Sequence, residues 1–273
     1  MARERESSGA RWWRGPVVML LGVAALVVLS SGIASILSVG PRSLLERWDS
    51  DGRVGSEAEW RGAMRLLDLA ATLNPLDAAI PFDQGRFHHW RAAGFDLLDE
   101  RRHGELLLAE RDYRRALSLR PKWSLAWVYL ADALTLDRRL SKGGLAALRE
   151  VLAIDPYGTF ATQRALELSA MAWRLLSTDE RCRVAGIIAY RDAWKGSWTS
   201  IGDDARERVM RHLPEGALDP RRLASVTAWL VERQRRYNAA SFIGKLRIGL
   251  APRERFLDGR YCSTRGVSDA ENR

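Results

Sequence analysis

The stretch YRRALSLRPKWSLAWVYLADAL, residues 113–134, has the pattern of a helix end, a proline turn and a new helix. Spacings of three and four residues place side chains on one helical face. Pro121 then ends the helix, because proline cannot donate the backbone hydrogen bond. The same order of small, large, small and proline occurs three times: at Ala63, Leu67, Ala70 and Pro75; at Ala109, Tyr113, Ala116 and Pro121; and at Gly144, Leu148, Val151 and Pro156.

The recurring order predicts stacked helices. Small residues let a second helix approach closely, and the large residue between them fills the gap. The hydrophobic content of 47% and the charged content of 28% are ordinary for a folded protein, and the length allows one or two domains with a sizeable core. Three copies with identical spacing disfavour the alternative, an unrelated helical bundle with alanine-rich faces. The predicted fold class is all-α.

This pattern resembles the second helix of a tetratricopeptide repeat (TPR), A-x3-F/Y-x2-A-x4-P, in a unit of about 34 residues. Pro156 lies 35 residues after Pro121, but Pro121 lies 46 residues after Pro75. The longer unit therefore holds about 12 extra residues, which we place between His89 and Gly104, where we expect the helix to run on through Trp90 and Phe95. The first-helix pattern W-x2-L-G-x2-Y corresponds to Trp127, Leu130, Ala131 and Leu134; to Pro81, Gln84, Gly85 and His88; and to Thr162, Ala165, Leu166 and Ser169.

The TPR resemblance covers roughly residues 57–176 and implies a concave surface that holds a peptide or protein element. In the family this surface is lined by positions 2, 5, 9 and 12 of each unit. The alternative is that the inserted segment covers the surface and that Arg86 pairs with Asp132. The implied groove consists of Ala79, Phe82, Arg86 and His89 in one unit and Leu125, Val128, Asp132 and Thr135 in the next.

Residues 16–40 carry no charged side chain and have the length of a membrane-spanning helix, which needs about 20 apolar residues. Trp12 and Trp13 precede the segment and suit the membrane–water interface. The alternative is a cleaved signal peptide, whose apolar region is usually shorter, about 7–15 residues. Small residues at Ser31 and Ala34 leave cleavage open, and the favoured interpretation is an uncleaved anchor.

Positive charges flank the apolar segment on both sides, with four arginines before it and three soon after it. The positive-inside rule therefore gives only a slight preference, and the short N-terminal tail is the easier end to leave in the cytoplasm. We predict a single-pass protein of a bacterial inner membrane, with a cytoplasmic N-terminus and a periplasmic domain. The periplasm permits disulfides, so Cys182 and Cys262 are either joined to each other or remain free thiols.

The predicted organisation has six parts. A cytoplasmic tail (1–15) precedes the membrane helix (16–40) and a linker (41–55). TPR-like repeats (56–176) follow, then a C-terminal helical cap (177–258) and a flexible tail (259–273). In the cap, Thr178 is the expected start of a helix through Ala193, and a short amphipathic helix is expected from Asp203 to Leu213.

The sequence offers no case for catalysis. His88 and His89 are adjacent, so on a helix they point about 100° apart and cannot share a metal ion. His88 also falls where the repeat needs a packed aromatic side chain. Cysteines in CxxC spacing are absent, as are the motifs GxGxxG, GxxxxGK[ST], HExxH and GxSxG. We expect no enzyme, no metal and no cofactor.

The formal charge of +9 raises nucleic acid as a partner. The basic residues, however, are spread along the chain and interleaved with acids. We therefore expect no nucleic acid, but a solvated surface that faces acidic material such as phospholipid or an anionic polymer.

A narrower resemblance is carried by LNPLDAAIPFDQGRFHHW, residues 73–90. With the short tail and the single span, it resembles small inner-membrane repeat proteins of bacterial exopolysaccharide or lipopolysaccharide biosynthesis, which follow A-x-x-LNP-x-DA and G-R-x-x-x-W. This implies an accessory role in polysaccharide polymerisation, chain-length control or export, with envelope proteins as partners and an anionic polysaccharide as a further ligand. The alternatives are a generic envelope assembly factor, for secretion or cytochrome maturation, and a non-catalytic sugar-binding subunit. The matching residues are Leu73, Asn74, Pro75, Asp77, Ala78, Gly85, Arg86 and Trp90.

Overall fold

The structure, a computed structural model, describes residues 14–140, 143–156, 158, 160–193 and 205–214, with isolated positions 217, 235 and 239. Every regular element in this described part is a helix, which confirms the all-α fold class. A short 3-10 helix, Trp173–Leu175, lies between α7 and α8. The α-helices are α1 (Arg14–Asp51), α2 (Glu57–Leu73), α3 (Ala79–Ala93), α4 (Glu100–Leu119), α5 (Ser124–Leu136), α6 (Gly144–Ile154), α7 (Phe160–Met171), α8 (Thr178–Ala193) and α9 (Ala205–His212).

The chain divides into two compact units, Met1–Pro121 and Lys122–Arg273. The first unit contains α1 to α4, and each of these helices packs against the next one in the chain. In the second unit α5, α6 and α7 pack together, and α7 also contacts α8 and α9. The division falls inside the segment that the sequence assigned to one run of repeats.

The three copies of the repeated pattern end their helices in the same way. Asn74, Arg120 and Asp155 cap α2, α4 and α6 with φ of −138°, −137° and −142° and ψ of 78°, 78° and 67°. Each cap donates its N–H to the carbonyl at the third position of the pattern, over 2.8–2.9 Å, and the proline follows. The first three positions of every copy are buried, as predicted: Ala63, Leu67 and Ala70; Ala109, Tyr113 and Ala116; Gly144, Leu148 and Val151.

The helix α1 is long and apolar enough near the N-terminus to cross a membrane, a character that signal sequences share. It does not stop at Gly40. Residues 41–55 were expected to be a linker, but α1 continues through Pro41 to Asp51. Proline removes one backbone hydrogen bond of the helix, and the burial of Leu45 and Trp48 offsets this loss. The end of α1 is therefore part of the domain.

The expected extension of α3 through Phe95 is also corrected. The helix ends at Ala93, and Gly94 is its C-cap. A loop then leads to α4, where Asp99 is the N-cap and accepts a hydrogen bond from the Arg101 N–H over 2.8 Å. The extra residues of the longer unit lie in this loop and in α4, which has 20 residues.

In the second unit, Ser177 rather than Thr178 caps α8. The Ser177 hydroxyl accepts from the N–H of Glu180, and the Glu180 carboxylate accepts from the N–H of Ser177 over 2.7 Å. This reciprocal pair is a capping box, a motif with Glu three residues after Ser, which the sequence already contains. Glu180 also binds Arg149 of α6, so it ties α8 to α6.

Glu180 makes the second unit sensitive to acid. Burial tends to raise the pKa of Glu180, but hydrogen bonds from Arg149 and Ser177 outweigh it and lower the pKa from 4.5 to about 2. A lowered pKa in the folded state means that the stabilisation is complete above pH 4.5 and is lost as the pH falls towards 2. We expect Glu180→Gln to be less stable than the native protein at pH 7 and equally stable near pH 2, in chemical denaturation.

The serine supplies a second test of this motif. Ser177→Ala should lose about 1 kcal/mol, the usual cost of losing an N-cap. Glu150→Gln on α6, at an exposed glutamate, is the matched control and should leave the free energy of unfolding unchanged at both pH values. A Glu180→Gln deficit that persists undiminished at pH 2 would contradict this account.

Candidate binding surfaces on α3 and α5

The four groove positions predicted on α3 differ in exposure. Phe82 is only 4% exposed, and its ring lies 5.8 Å from the ring of Tyr113 on α4. It is therefore a packing residue between two helices and presents almost no surface to a partner. Ala79, Arg86 and His89 are half-buried.

Arg86 lies between two carboxylates. Its guanidinium binds Asp49 at the end of α1 and lies 3.7 Å from Asp83, one turn earlier on α3. Trp90 donates from its indole N–H to the same Asp49 over 2.9 Å. The end of α1 thus supplies an acidic residue to this surface that the sequence analysis missed, because Asp49 lay in the presumed linker. No motif in the sequence marks it.

The neighbouring face of α3 is a buried polar network. His88 Nδ1 lies 2.6 Å from Glu105 of α4, and His88 is 5% exposed. Arg91 forms ion pairs with Glu105 of α4, at 3.2 Å, and with Glu57 of α2, at 3.1 Å. Its guanidinium also lies over the ring of Trp60 on α2, 4.0 Å from the ring centre. These contacts tie α2, α3 and α4 together, so this face of α3 holds the fold together.

On α5 the predicted positions again separate into two kinds. Val128 is 1% exposed and belongs to the core of the second unit. Leu125, Asp132 and Thr135 are half-buried. Asp132 accepts a hydrogen bond from Arg164 of α7 over 2.7 Å, and Thr135 donates its hydroxyl to the Ala131 carbonyl over 2.7 Å.

Arg164 extends the polar surface of the second unit. It also lies 3.0 Å from Glu167, which is 3.7 Å from Arg208 of α9. Burial tends to lower the pKa of Arg164, but Asp132 and Glu167 outweigh it and raise the pKa. Arg86 and Asp132, proposed as a pair in the alternative above, therefore each have an oppositely charged partner inside their own unit. On the α5 surface, acidic and basic side chains alternate and form ion pairs with each other.

In the described ranges, no group of three or more His, Cys, Asp or Glu side chains could hold a metal ion. Cys182 lies half-buried on α8. Cys262, its predicted partner, lies outside the described residues, and so do Trp12, Trp13, Asp203 and Asp204. The Cys182–Cys262 pairing stays a prediction.

Comparison of the chain with models of known protein families, with curated proteins and with solved structures finds no match. The fold defines the class: an all-α protein with one N-terminal helix that is long and apolar enough to span a membrane.

Proposed function

We propose that this protein is a membrane-anchored scaffold whose helical hairpins bind a protein partner beside the membrane. The observation that carries the proposal is the continuity of α1. Its large apolar side chains from Val17 to Ile33 are exposed, whereas Ala34, Leu45 and Trp48 are buried in the core of the first unit. A tether built into the core in this way fixes the height and orientation of the domain.

The length of the exposed part supports an anchor. At 1.5 Å per residue, residues 15–33 span about 28 Å, close to the hydrocarbon thickness of about 30 Å. The packed core begins at Ala34, directly after this span. Ala34 also lies where a signal peptidase would have to cut, and its burial in the domain favours the anchor over a cleaved signal peptide.

The identical helix ends and the buried small–large–small positions support a TPR-like scaffold without catalytic activity. The link to polysaccharide assembly or export rests on the resemblance of residues 73–90, and several of those residues make specific contacts here. Asp77 accepts from the Ala79 N–H over 2.9 Å, and Trp90 binds Asp49. The proposed location is a bacterial inner membrane, with the domain in the periplasm.

The topology is tested by reporter fusions. A C-terminal alkaline phosphatase fusion should be active and a C-terminal fluorescent-protein fusion dark, because the domain follows a single outward-directed span. The opposite pair of results would place the domain in the cytoplasm. N-terminal sequencing of the purified protein should find residues before Val17; a new N-terminus near Ala34 would mean a signal peptide.

The binding surfaces are tested by photo-crosslinking in cells. A photoreactive amino acid at His89 or at Thr135 should capture a discrete envelope protein, because these half-buried positions line the proposed surfaces. Gly104, exposed near the start of α4, is the control position and should capture nothing comparable. Equal capture at all three positions would contradict the scaffold. Capture of none, combined with saturable oligosaccharide binding in titration, would favour the sugar-binding alternative.

A further inference from the structure

We infer that the α2–α3 turn and the adjoining side of α2 form a membrane-contact surface, which rests in the headgroup region of the bilayer that holds α1. The inference rests on the proposed anchor and adds a second attachment to it. The surface, here called the leucine rim, consists of Leu66, Leu69 and Leu76, whose exposed fractions are 39%, 50% and 78%.

The height of the rim follows from the hairpin of α1 and α2. These helices are joined by a short loop and pack side by side, so α2 runs back along α1. The 17 residues of α2, from the first Cα atom to the last, cover about 24 Å at 1.5 Å per residue. That distance returns the chain to the level of about Ser35. Ala34 is buried in the core cluster against which Leu73 packs.

The rim lies on the side of α2 that adjoins α1. Leu66 follows Glu59 by two helical turns and so shares its face, and Glu59 lies 3.8 Å from Arg47 of α1. Asp68, on another side of α2, accepts from Gln84 of α3 over 2.8 Å. Leu66 therefore lies on the side of α2 next to α1, whose exposed apolar side chains near this level are Ile36 and Val39.

The other copies of the pattern serve as an internal comparison. Six residues before the proline, the three copies have Leu69, Arg115 and Glu150, all exposed. The second and third copies therefore carry a charged residue at this exposed helix position. One residue after the proline, Leu76 corresponds to Lys122 and Tyr157. Only the copy beside the apolar span carries leucine at both places, which indicates that its environment is not water.

The backbone of the turn is suited to a partly dehydrated site. The Asn74 N–H donates to the Ala70 carbonyl over 2.8 Å and the Asp77 N–H to the Asn74 carbonyl over 3.3 Å. The Ala79 N–H donates to the Asp77 side chain, and Pro75 has no N–H. These three donors therefore need no hydrogen bond to water.

The end of α4 adds positive charge at the same end of the first unit. The helices α3 and α4 have 15 and 20 residues and pack side by side after a short loop. The last turn of α4 therefore returns to the level of the α2–α3 turn. Arg115 and Arg120 are exposed there. Cations at this height attract anionic lipid headgroups, so the surface fits a bilayer that contains anionic lipid.

The test uses the full-length protein in vesicles of neutral and anionic phospholipid, with a fluorescent non-canonical amino acid at one position at a time. The positions are Leu20 in α1, Leu76 in the rim, and Leu98, an equally exposed leucine in the α3–α4 loop at the other end of the unit. Lipids brominated on the acyl chain close to the headgroup quench a fluorophore only when they touch it. We expect quenching at Leu20 and Leu76 and none at Leu98.

Each outcome of this experiment either supports or overturns the proposed membrane contact of the leucine rim. Quenching at Leu20 without quenching at Leu76 overturns this inference and leaves the anchor standing. Absence of quenching at Leu20 overturns the anchor and, with it, the rim. In the variant Leu69→Glu with Leu76 labelled, which gives α2 the residue of the third copy, quenching at Leu76 should fall while the melting temperature in detergent stays unchanged. Undiminished quenching there would mean that the leucines do not hold the turn at the bilayer.

Discussion

Replacing Gly85 with alanine is expected to destabilise the first unit by about 2 kcal/mol, within the range for overpacking a core, although alanine is the better helix former. A Cβ atom at Gly85 would lie 2.6 Å from Cε1 and 2.7 Å from Cδ1 of Tyr113. The Tyr113 ring is fully buried and cannot move aside without disturbing its neighbours. Chemical denaturation of the full-length protein in detergent measures the loss.

Two glycines serve as matched controls for this substitution. Gly62 on α2 and Gly104 on α4 have no atom within 4 Å of an added Cβ. Gly62→Ala and Gly104→Ala should each stabilise the protein by about 0.5–1 kcal/mol, the ordinary gain of alanine over glycine in a helix.

A double-mutant cycle tests whether the contact with Tyr113 causes the loss of stability in Gly85→Ala. Tyr113→Ala alone should cost about 3–5 kcal/mol, because it removes a large buried ring. In that background Gly85→Ala should cost nothing or should stabilise, since the clash is gone. If Gly85→Ala costs the same with and without the Tyr113 ring, the close approach of α3 and α4 is not the reason for this glycine.

The repeated pattern could be predicted from the sequence because the residues that a helix buries recur at spacings of three and four. Leu67, Tyr113 and Leu148 are the largest residues of their copies, and all three are buried. Gly85 was also found in the sequence, as the one well-kept position of its first helix. The contact between Gly85 and Tyr113 could not be found in the sequence, because a sequence does not state which atoms of two helices meet.

The continuation of α1 could not be predicted, because local signals argue against it. Pro41 normally ends or kinks a helix, and the charge-free run stops at the same place. What sustains the helix is tertiary: Leu45 and Trp48 pack against the core, and Asp49 binds Arg86 far along the chain. Such pairs leave no pattern in a single sequence.

The exposure of the eight proposed groove positions could be predicted from the sequence only in part, for a related reason. Positions counted from the prolines place Phe82 and Val128 on the partner-facing side. A shift of one residue rotates a side chain by about 100°, however, and both are buried. Arg86 and His89 remain at the edge of the packed surface, where Asp49 of α1 binds Arg86 and His89 lies beside Tyr113 of α4.

Replacing Arg42, whose side chain is 38% exposed, with alanine is expected to cost about 2 kcal/mol at neutral pH. This is less than the roughly 3–5 kcal/mol seen for a fully buried ion pair, because water can reach the vacated site. Arg42 Nε lies 2.7 Å from Asp83 Oδ2 and joins α1 to α3. The Asp83 side chain is 5% exposed. Without Arg42, this buried carboxylate would keep only Arg86, at 3.7 Å. Arg61→Ala, at an exposed arginine one turn from Glu57, is the control and should change stability by less than about 1 kcal/mol.

The pH dependence of the Arg42→Ala defect tests its origin. Burial raises the pKa of Asp83, and Arg42 and Arg86 oppose this rise. A carboxyl with a raised folded pKa destabilises the folded state when it is charged, and this cost disappears as the pH falls through that pKa. Of the two arginines, Arg42 lowers the pKa of Asp83 more strongly, and Arg42→Ala removes this effect. The loss of stability of Arg42→Ala relative to the native protein should therefore be largest at neutral pH and should shrink on acidification. Adding Asp83→Asn should restore most of the loss at neutral pH. A deficit that is independent of pH and that Asp83→Asn does not relieve would mean that this ion pair does not hold α1 against α3.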